Sequence, residues 1–200
     1  MLMRFCVAGL IILLATGMAC AETSPSESPQ LKKCLQRADD LPDMAAAEAD
    51  IWIKKGGGNE AHLCRAFAQA NRGMHADAAR EFWLLAAFYD KQESSRAISM
   101  HNMSGQEFLQ DKDIKNAEAQ FISALKIAPD NVDSLIGRAQ TLMANEKYWE
   151  ALDDLTRALK IKPDSIEALR QRGSVWTHLS NDKNAQEDFE LREALISAIK

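Results

Sequence analysis

The chain has 200 residues and a formal net charge of −5, from 24 Lys and Arg against 29 Asp and Glu. This length provides room for one ordinary domain or one short solenoid. The acidic balance argues against a nucleic-acid surface, which needs a basic face, so we expect no nucleic acid among the partners.

Residues 1–21 have the pattern of an export signal. Arg4 provides a positive start, the run CVAGLIILLATGMA after it is apolar, and Ala-Cys-Ala at 19–21 fits the small-x-small rule for cleavage after Ala21. A retained membrane helix is the competing interpretation, but the run is shorter than the roughly 20 residues that span a bilayer. We therefore predict an exported, periplasmic protein whose mature chain begins at Glu22.

Cys20 supports a second interpretation, in which it is lipidated and the protein is an outer-membrane lipoprotein. The residues before it, Gly17-Met18-Ala19, lack the Leu that is usual in that motif. Because an acyl anchor would hold the chain at a bilayer, we expect membrane contact only if Cys20 is lipidated. Residues 22–30, ETSPSESPQ, have almost nothing to bury and are predicted to be a disordered leader.

The number of cysteines left after the signal segment is typical of an exported protein with a disulfide. Cys6 and Cys20 belong to the signal segment, which leaves Cys34 and Cys64. A single remaining pair in an exported chain suggests a disulfide, which would stabilise the fold by about 3 to 4 kcal/mol. Two buried free thiols are one alternative. A metal site of both cysteines with His62 is another, but no fourth ligand lies near in sequence and the paired CxxC spacings are absent, so we expect no metal.

From residue 31 onward the apolar residues recur at helical spacing, and strand signals are nearly absent. Helix-terminating residues agree with this spacing. Gly56–Gly58 ends one predicted helix, and Pro129 and Pro163 follow the ends of two others. Short connections force neighbouring helices to be antiparallel. The predicted helices lie near 31–38, 43–55, 59–71, 75–88, 95–110, 114–127, 131–144, 148–161, 165–178 and 182–198.

One phrase occurs twice, 34 residues apart. Residues 117–130 read AEAQFISALKIAPD and residues 151–164 read ALDDLTRALKIKPD. Self-similarity at this period is typical of a repeated helix–turn–helix unit. Such units stack into a superhelix with a binding groove, which favours a protein that holds other molecules.

The repeated residues resemble the tetratricopeptide repeat. Its pattern has large residues at positions 4, 11 and 24, small residues at 8, 20 and 27, and Pro at 32. A unit from Val132 gives, at these places in chain order, Leu135, Ala139, Leu142, Ala151, Leu155, Ala158 and Pro163. One from Ile98 gives His101, Gly105, Phe108, Ala117, Phe121, Ala124 and Pro129. One from Ile166 gives Leu169, Gly173, Trp176, Ala185 and Phe189, then departs with Arg192. The resemblance implies an all-α, right-handed superhelical solenoid of antiparallel helix pairs.

A weaker unit begins near Asn59, 39 residues before the unit at Ile98. We expect the five additional residues in the connection around 90–96. Residues 31–58 lack most of the pattern and are predicted to be a helical cap or a divergent repeat. The predicted repeats are therefore 59–92, 98–131, 132–165 and 166–200.

Catalytic motifs are missing from the sequence. It contains no HExxH, no GxSxG and no phosphate loop. The adjacent carboxylates Asp153 and Asp154 are predicted to be solvated on an exposed helix, and His101 occupies a packing position. We expect neither an enzyme nor a bound cofactor.

The resemblance implies that positions 2, 5, 9 and 12 of each unit face the concave groove. The set has no basic clamp for a peptide carboxylate, and it suits an extended peptide or helix held by amide and apolar contacts. A solvated face without a dedicated ligand is the alternative. The predicted groove residues are Ser99, Asn102, Gln106, Leu109, Asp133, Ile136, Gln140, Met143, Glu167, Arg170, Ser174 and Thr177.

The last segment, 191–199, places Leu191, Ala194, Leu195 and Ala198 on one side. This side is predicted to cap the stack, with a dimerisation face as the alternative, so the oligomeric state stays open. Together these features predict a periplasmic scaffold that binds a peptide or partner protein. A lipoprotein scaffold is the first alternative, and an enzyme or metal carrier the second.

Overall fold

The computed structural model describes residues 28–199, so the predicted signal segment lies outside the described residues. Between 28 and 199 the chain forms helices and no strand, which confirms the all-α class. Within this range we find no helix with the length and apolar character of a membrane span. The helices are α1 (Pro29–Asp40), α2 (Pro42–Lys54), α3 (Gly58–Asn71), α4 (His75–Tyr89), α5 (Ser94–Gln110), α6 (Ile114–Ile127), α7 (Val132–Ala144), α8 (Tyr148–Ile161), α9 (Ile166–His178) and α10 (Asp182–Ile199).

The leader prediction is wrong at its end, because α1 begins inside it. Ser28 is the N-cap and its Oγ accepts a hydrogen bond from the Leu31 amide at 3.1 Å. Pro29 is then the first helical residue, where the missing N–H costs nothing and the fixed φ suits the helix. Ser28 also donates to the Glu60 side chain at the start of α3. Pro29 and Gln30 are therefore helical, although they were predicted to belong to the leader.

The helices form a solenoid of antiparallel pairs. Successive helices pack along the whole series, and α1 with α3, α5 with α7 and α7 with α9 are also in contact. Contacts between even-numbered helices are fewer. A stack whose odd-numbered helices approach more closely curves towards that side. The odd-numbered helices therefore line the concave face, as the resemblance implies.

Aromatic rings explain why certain positions must be small. A Cβ on Gly105 would lie 2.7 Å from Cζ of Phe121, and one on Gly137 would lie 2.2 Å from Cε1 of the same ring. Gly173 has the same relation to Phe189, at 2.5 Å. These distances are too short for any side chain, so the ring occupies the space that a Cβ would need. Phe121 and Phe189, each at position 24 of its repeat, therefore set the spacing of the neighbouring helices.

Each turn between the two helices of a unit contains one residue in the left-handed region. Gly73 (φ 73°) holds this place in the first unit, and Lys112 (63°), Glu146 (59°) and Ser180 (55°) hold it in the others. The amide after each of them donates to the carbonyl five residues back, at 2.8–2.9 Å. This pattern closes the C-terminus of a helix. The sequence showed it only at Gly56–Gly58, where Gly56 (φ 83°) ends α2 in the same way.

The five additional residues do not lengthen a connection. Residues 90–93 join α4 to α5, and the corresponding connections at 128–131 and 162–165 are equally long. The additional residues lie in helices: α5 has 17 residues, whereas α7 and α9 have 13 each. The prediction of a longer connection around 90–96 is therefore wrong.

Three units carry a charged pair between their two helices. The Asp154 carboxylate is buried and accepts from Arg138 Nε at 2.7 Å, and a guanidinium N–H of Arg138 donates to its other oxygen. The hydrogen bond to Asp154 raises the pKa of Arg138. Asp153 is exposed, so the prediction of solvated carboxylates holds for it and is wrong for Asp154. The pairs are Arg65 with Glu81, Arg138 with Asp154 and Arg172 with Asp188.

A disulfide links α1 to α3 in the structure. The Cα atoms of Cys34 and Cys64 are 5.9 Å apart, within the range that a disulfide requires. Both residues are buried in a small apolar cluster with Leu31 and Ala49. The pairing agrees with the predicted one, and its oxidised state in the native protein stays a prediction.

The last helix changes the surface on which another unit would stack. Leu152 and Leu159 of α8 are buried beside α9, whereas Gln186 and Glu193, 34 residues later on α10, are exposed. This surface of α10 is therefore more polar than the corresponding surface of α8. Leu195 packs against the core, while the rest of the predicted apolar side, with Leu191, is exposed. The choice between cap and dimer face stays open.

Candidate partner-binding groove

Three cavities follow one another along the odd-numbered helices. Their volumes are about 260, 330 and 730 Å³ from the α1 end to the α9 end. The first two share Phe67 and Met103, and the second and third share Gln106 and Asp133. They therefore form one continuous groove on the concave face.

The groove is apolar at its N-terminal end. Leu31, Leu35 and Leu63 line it together with Phe67 and Met103. The Phe67 ring is held edge-on against Phe82, with centroids 5.3 Å apart and planes at 84°. An edge-on aromatic pair fixes the ring in place, so this end offers a preformed apolar surface.

Amide side chains connect the middle of the groove to its C-terminal end. Gln106 on α5 donates to Gln140 on α7 at 3.2 Å, and Gln140 donates to Glu167 on α9 at 3.5 Å. Arg170 donates to Glu167 from the next turn at 2.6 Å. The Arg170 hydrogen bond holds the pKa of Glu167 below its ordinary value, against burial, which raises it. The charge of Glu167 is thus balanced inside the groove, and the row of amides runs across three units.

A second polar cluster lies between α5 and α7. Ser134 donates to the side chain of Asn102 at 2.7 Å, and Asn102 donates to Asn131 at 3.3 Å. Asn131 is also the N-cap of α7. Asp133, which lines the two larger cavities, is exposed. A ligand here would meet amides already ordered by one another, together with one accessible carboxylate.

The structure divides the predicted groove residues into two groups. Seven of them line the cavities: Ser99, Asn102, Gln106, Asp133, Ile136, Gln140 and Glu167. The other five lie outside the cavity walls: Leu109, Met143, Arg170, Ser174 and Thr177.

Contacts explain several of these placements. Leu109 and Met143 pack against core clusters, and Arg170 is turned to Glu167. The Thr177 hydroxyl donates to the Gly173 carbonyl at 3.0 Å. The role of the set in binding stays a prediction.

Sequence reasoning missed the apolar end, although the signal was present. Applying the same positions 2, 5, 9 and 12 to the weak unit at 59 gives Glu60, Leu63, Phe67 and Ala70, and all four line the groove. This unit has His62 and Gln69 at positions 4 and 11, where the pattern has large apolar residues, so its register is weak in the sequence. Leu31 and Leu35 precede the first predicted repeat, so no repeat position could be assigned to them.

The suggested metal ligands are engaged elsewhere. Cys34 and Cys64 are bonded to each other, and His62 Nδ1 lies 2.9 Å from Oε2 of Glu81. Among residues 28–199 no group of three His, Cys, Asp or Glu side chains could hold a metal ion. The His101 ring is buried, with Nδ1 2.8 Å from the Gln120 side-chain oxygen, which agrees with a packing role.

Antiparallel helix pairs, a 34-residue period and a groove on the first helices give the chain the fold of a tetratricopeptide-repeat solenoid. Comparison with solved structures agrees. The chain superimposes on a double mutant of MamA RS-1 with a TM-score of 0.72 at 17% identity, covering 86% of this chain and 93% of that one. It is also similar to YrrB, described as a TPR protein with an unusual peptide-binding site, with a TM-score of 0.60 at 13% identity over 85% and 86% of the two chains.

Sequence comparison finds shorter matches. The chain is 32% identical over 92 residues, 46% of its length, to DnaJ homolog subfamily C member 3 of Rattus norvegicus. It spans 7% to 18% of the length of the curated relatives that it matches. No family model matches the chain.

Proposed function

We propose that this protein is an exported, non-enzymatic scaffold that holds a peptide, or a segment of a partner protein, in its concave groove. The observation that carries the proposal is the continuous groove of three cavities, with an apolar end and an amide-lined end. The similarity of the fold to YrrB, a TPR protein with a peptide-binding site, supports it. The groove residues lie on rigid helices, which favours recognition without large rearrangement.

The groove chemistry suggests the kind of segment that it would hold. Leu63, Phe67 and Met103 fit apolar side chains at one end. Gln106 and Gln140 offer amide groups at the other end, which can pair with a peptide backbone. Among the residues that line the three cavities, the basic ones are Arg96 at one end and Lys162 at the other, so a terminal carboxylate, which needs a cluster of them, is a poor match.

The test compares one substitution at two places. Asp133→Lys introduces a long cation where two cavities meet, whereas Asp153→Lys makes the same change on the exposed side of α8. Both variants and the wild type are crosslinked in the native envelope, and bound proteins are quantified. We expect a partner that is captured by the wild type and by Asp153→Lys and lost with Asp133→Lys.

Equal capture by all three proteins would show that binding does not use the groove. A second groove variant, Met103→Glu, tests the apolar end, because a charge beside Phe67 would be desolvated by any apolar ligand. Circular dichroism of each variant checks that the helices are retained.

The lipoprotein scaffold remains a second candidate because of Cys20. Mass spectrometry of the mature N-terminus separates the two. A chain that begins at Glu22 supports a free periplasmic protein, and an acylated Cys20 supports the lipoprotein.

A further inference from the structure

Five exposed lysines gather on one edge of the N-terminal half. In the antiparallel pairs, the first helix starts and the second helix ends on the same edge. Two cavities show that these helix ends adjoin: Lys33 of α1 and Trp52 of α2 line one, and Leu31 of α1 and Tyr89 of α4 line another. We call this set the basic edge, and it consists of Lys32, Lys33, Lys54, Lys55 and Lys91.

The basic edge is not neutralised by the described part of the chain. None of its lysines forms an ion pair with a residue in 28–199. Of the nearby carboxylates, Glu93 pairs with Arg96, Glu60 accepts from the uncharged Ser28 hydroxyl, and Asp90 lies beside the His101 ring. The five lysines outnumber Glu60 and Asp90, so the edge stays basic. The positive charge of the lysines is therefore directed to solvent.

The charges of α1 are arranged against its own dipole. The first turn has no acidic residue and contains Lys32, while Asp39 and Asp40 are its last two residues. A helix dipole favours the opposite order, and only Arg37 follows that preference. The dipole therefore does not account for Lys32 and Lys33, whereas Lys54, in the last turn of α2, suits the dipole of its own helix.

Exposed apolar side chains adjoin the basic edge. Ile51 is 52% exposed one turn before Lys54, and Leu84 (64%) and Phe88 (44%) occupy the last turns of α4 before Lys91. In the repeat register, residues 83, 84, 87 and 88 on the outer side of α4 correspond to four residues on α8. These are Thr156, Arg157, Lys160 and Ile161. The N-terminal half is thus apolar where the regular half is mostly polar.

We propose that the basic edge, with Ile51, Leu84 and Phe88 beside it, docks on an anionic membrane surface. Lysines beside aromatic and aliphatic residues match the boundary between headgroups and acyl chains, whereas a nucleic-acid surface would not need the apolar part. The chain also enters α1 on this edge, from residues 1–27, whose sequence contains an apolar run. This proposal does not depend on the occupancy of the groove.

The experiment is vesicle flotation of the full chain with a matched pair of variants. One variant is Lys54→Gln/Lys55→Gln on the basic edge. The control is Lys126→Gln/Lys160→Gln, which removes the same charge from the last turns of α6 and α8. Vesicles contain either phosphatidylcholine alone or equal parts of phosphatidylcholine and phosphatidylglycerol. Both variants keep residues 1–27, so a contribution from that segment cancels in the comparison.

We expect the wild type and the control to float with the anionic vesicles, more weakly as salt is raised. The basic-edge variant should partition roughly 25-fold less, because each lysine near an anionic surface contributes about fivefold. Equal flotation of the two variants, or no preference of the wild type for anionic vesicles, would overturn the proposal. Tighter binding of the wild type to duplex DNA than to the vesicles, at equal phosphate, would also overturn it.

Discussion

The two halves of the solenoid are held together by different means. In residues 28–93 a disulfide ties α1 to α3, and the exposed surface carries unpaired lysines and apolar side chains. In residues 94–199 the units repeat at 34 residues, with Phe121 packed against Gly105 and Gly137 and hydrogen-bonded amides along the groove. The comparison suggests that regular packing supports the C-terminal half, while a covalent link compensates for irregular packing in the N-terminal half.

The largest expected effect is in the regular half. Phe121 is fully buried between Gly105 and Gly137, so Phe121→Ala should lower the free energy of unfolding by about 3–5 kcal/mol. In a solenoid each unit contacts only its neighbours, so amide protection should fall most in α5 to α7. Hydrogen exchange of the variant measures this. Phe82→Ala is the matched change in the N-terminal half, and a uniform loss of protection in both variants would contradict the comparison.

The disulfide comes next. The bond closes a loop with a sequence separation of 30, so its removal should lower the free energy of unfolding by about 3 kcal/mol. Urea unfolding with and without a reductant measures the difference, and protection should be lost chiefly in α1 to α3. The double variant Cys34→Ala/Cys64→Ala should not respond to the reductant. If the natively purified protein, unfolded without a reductant, has two titratable thiols, the bond is absent.

The charged pair in α7 and α8 gives a smaller effect. Asp154→Asn weakens both hydrogen bonds to Arg138, and should cost about 1–2 kcal/mol, since Arg138 is partly exposed. Asp153→Asn, the adjacent and exposed control, should stay within about 0.5 kcal/mol of the wild type. Thermal unfolding of both variants provides the measurement. Equal effects would mean that the buried pair adds nothing to the regular half.

The smallest effect has the opposite sign. Glu146 has a φ of 59°, which glycine adopts without strain, so Glu146→Gly should raise the free energy of unfolding by about 0.5–1 kcal/mol. Glu150→Gly, inside α8, should lower it by a similar amount, because glycine loses more chain entropy in a helix. Denaturant midpoints separate the two, and destabilisation by both would show that the turn tolerates Glu without strain.

Local and periodic features could be read from the sequence. Helical spacing and the repeated phrase predicted the all-α class, and the unit starts at 132 and 166 coincide with the starts of α7 and α9. The groove positions 2, 5 and 9 of the regular units mostly line the cavities. The fold prediction is confirmed because a fixed period relates sequence position directly to the side of a helix, and the role of the groove residues stays a prediction.

Tertiary contacts decided the rest. The sequence alone did not show that Asp154 is buried against Arg138 while Asp153 is solvated, because both are aspartates on one helix. It also did not place the additional turn in α5, since helix length depends on what the helix packs against. The groove of three joined cavities and the basic edge likewise exist only where helices distant in sequence meet. The repeat thus determined the scaffold, and the stacking of unequal units decided which surfaces remain available for partners.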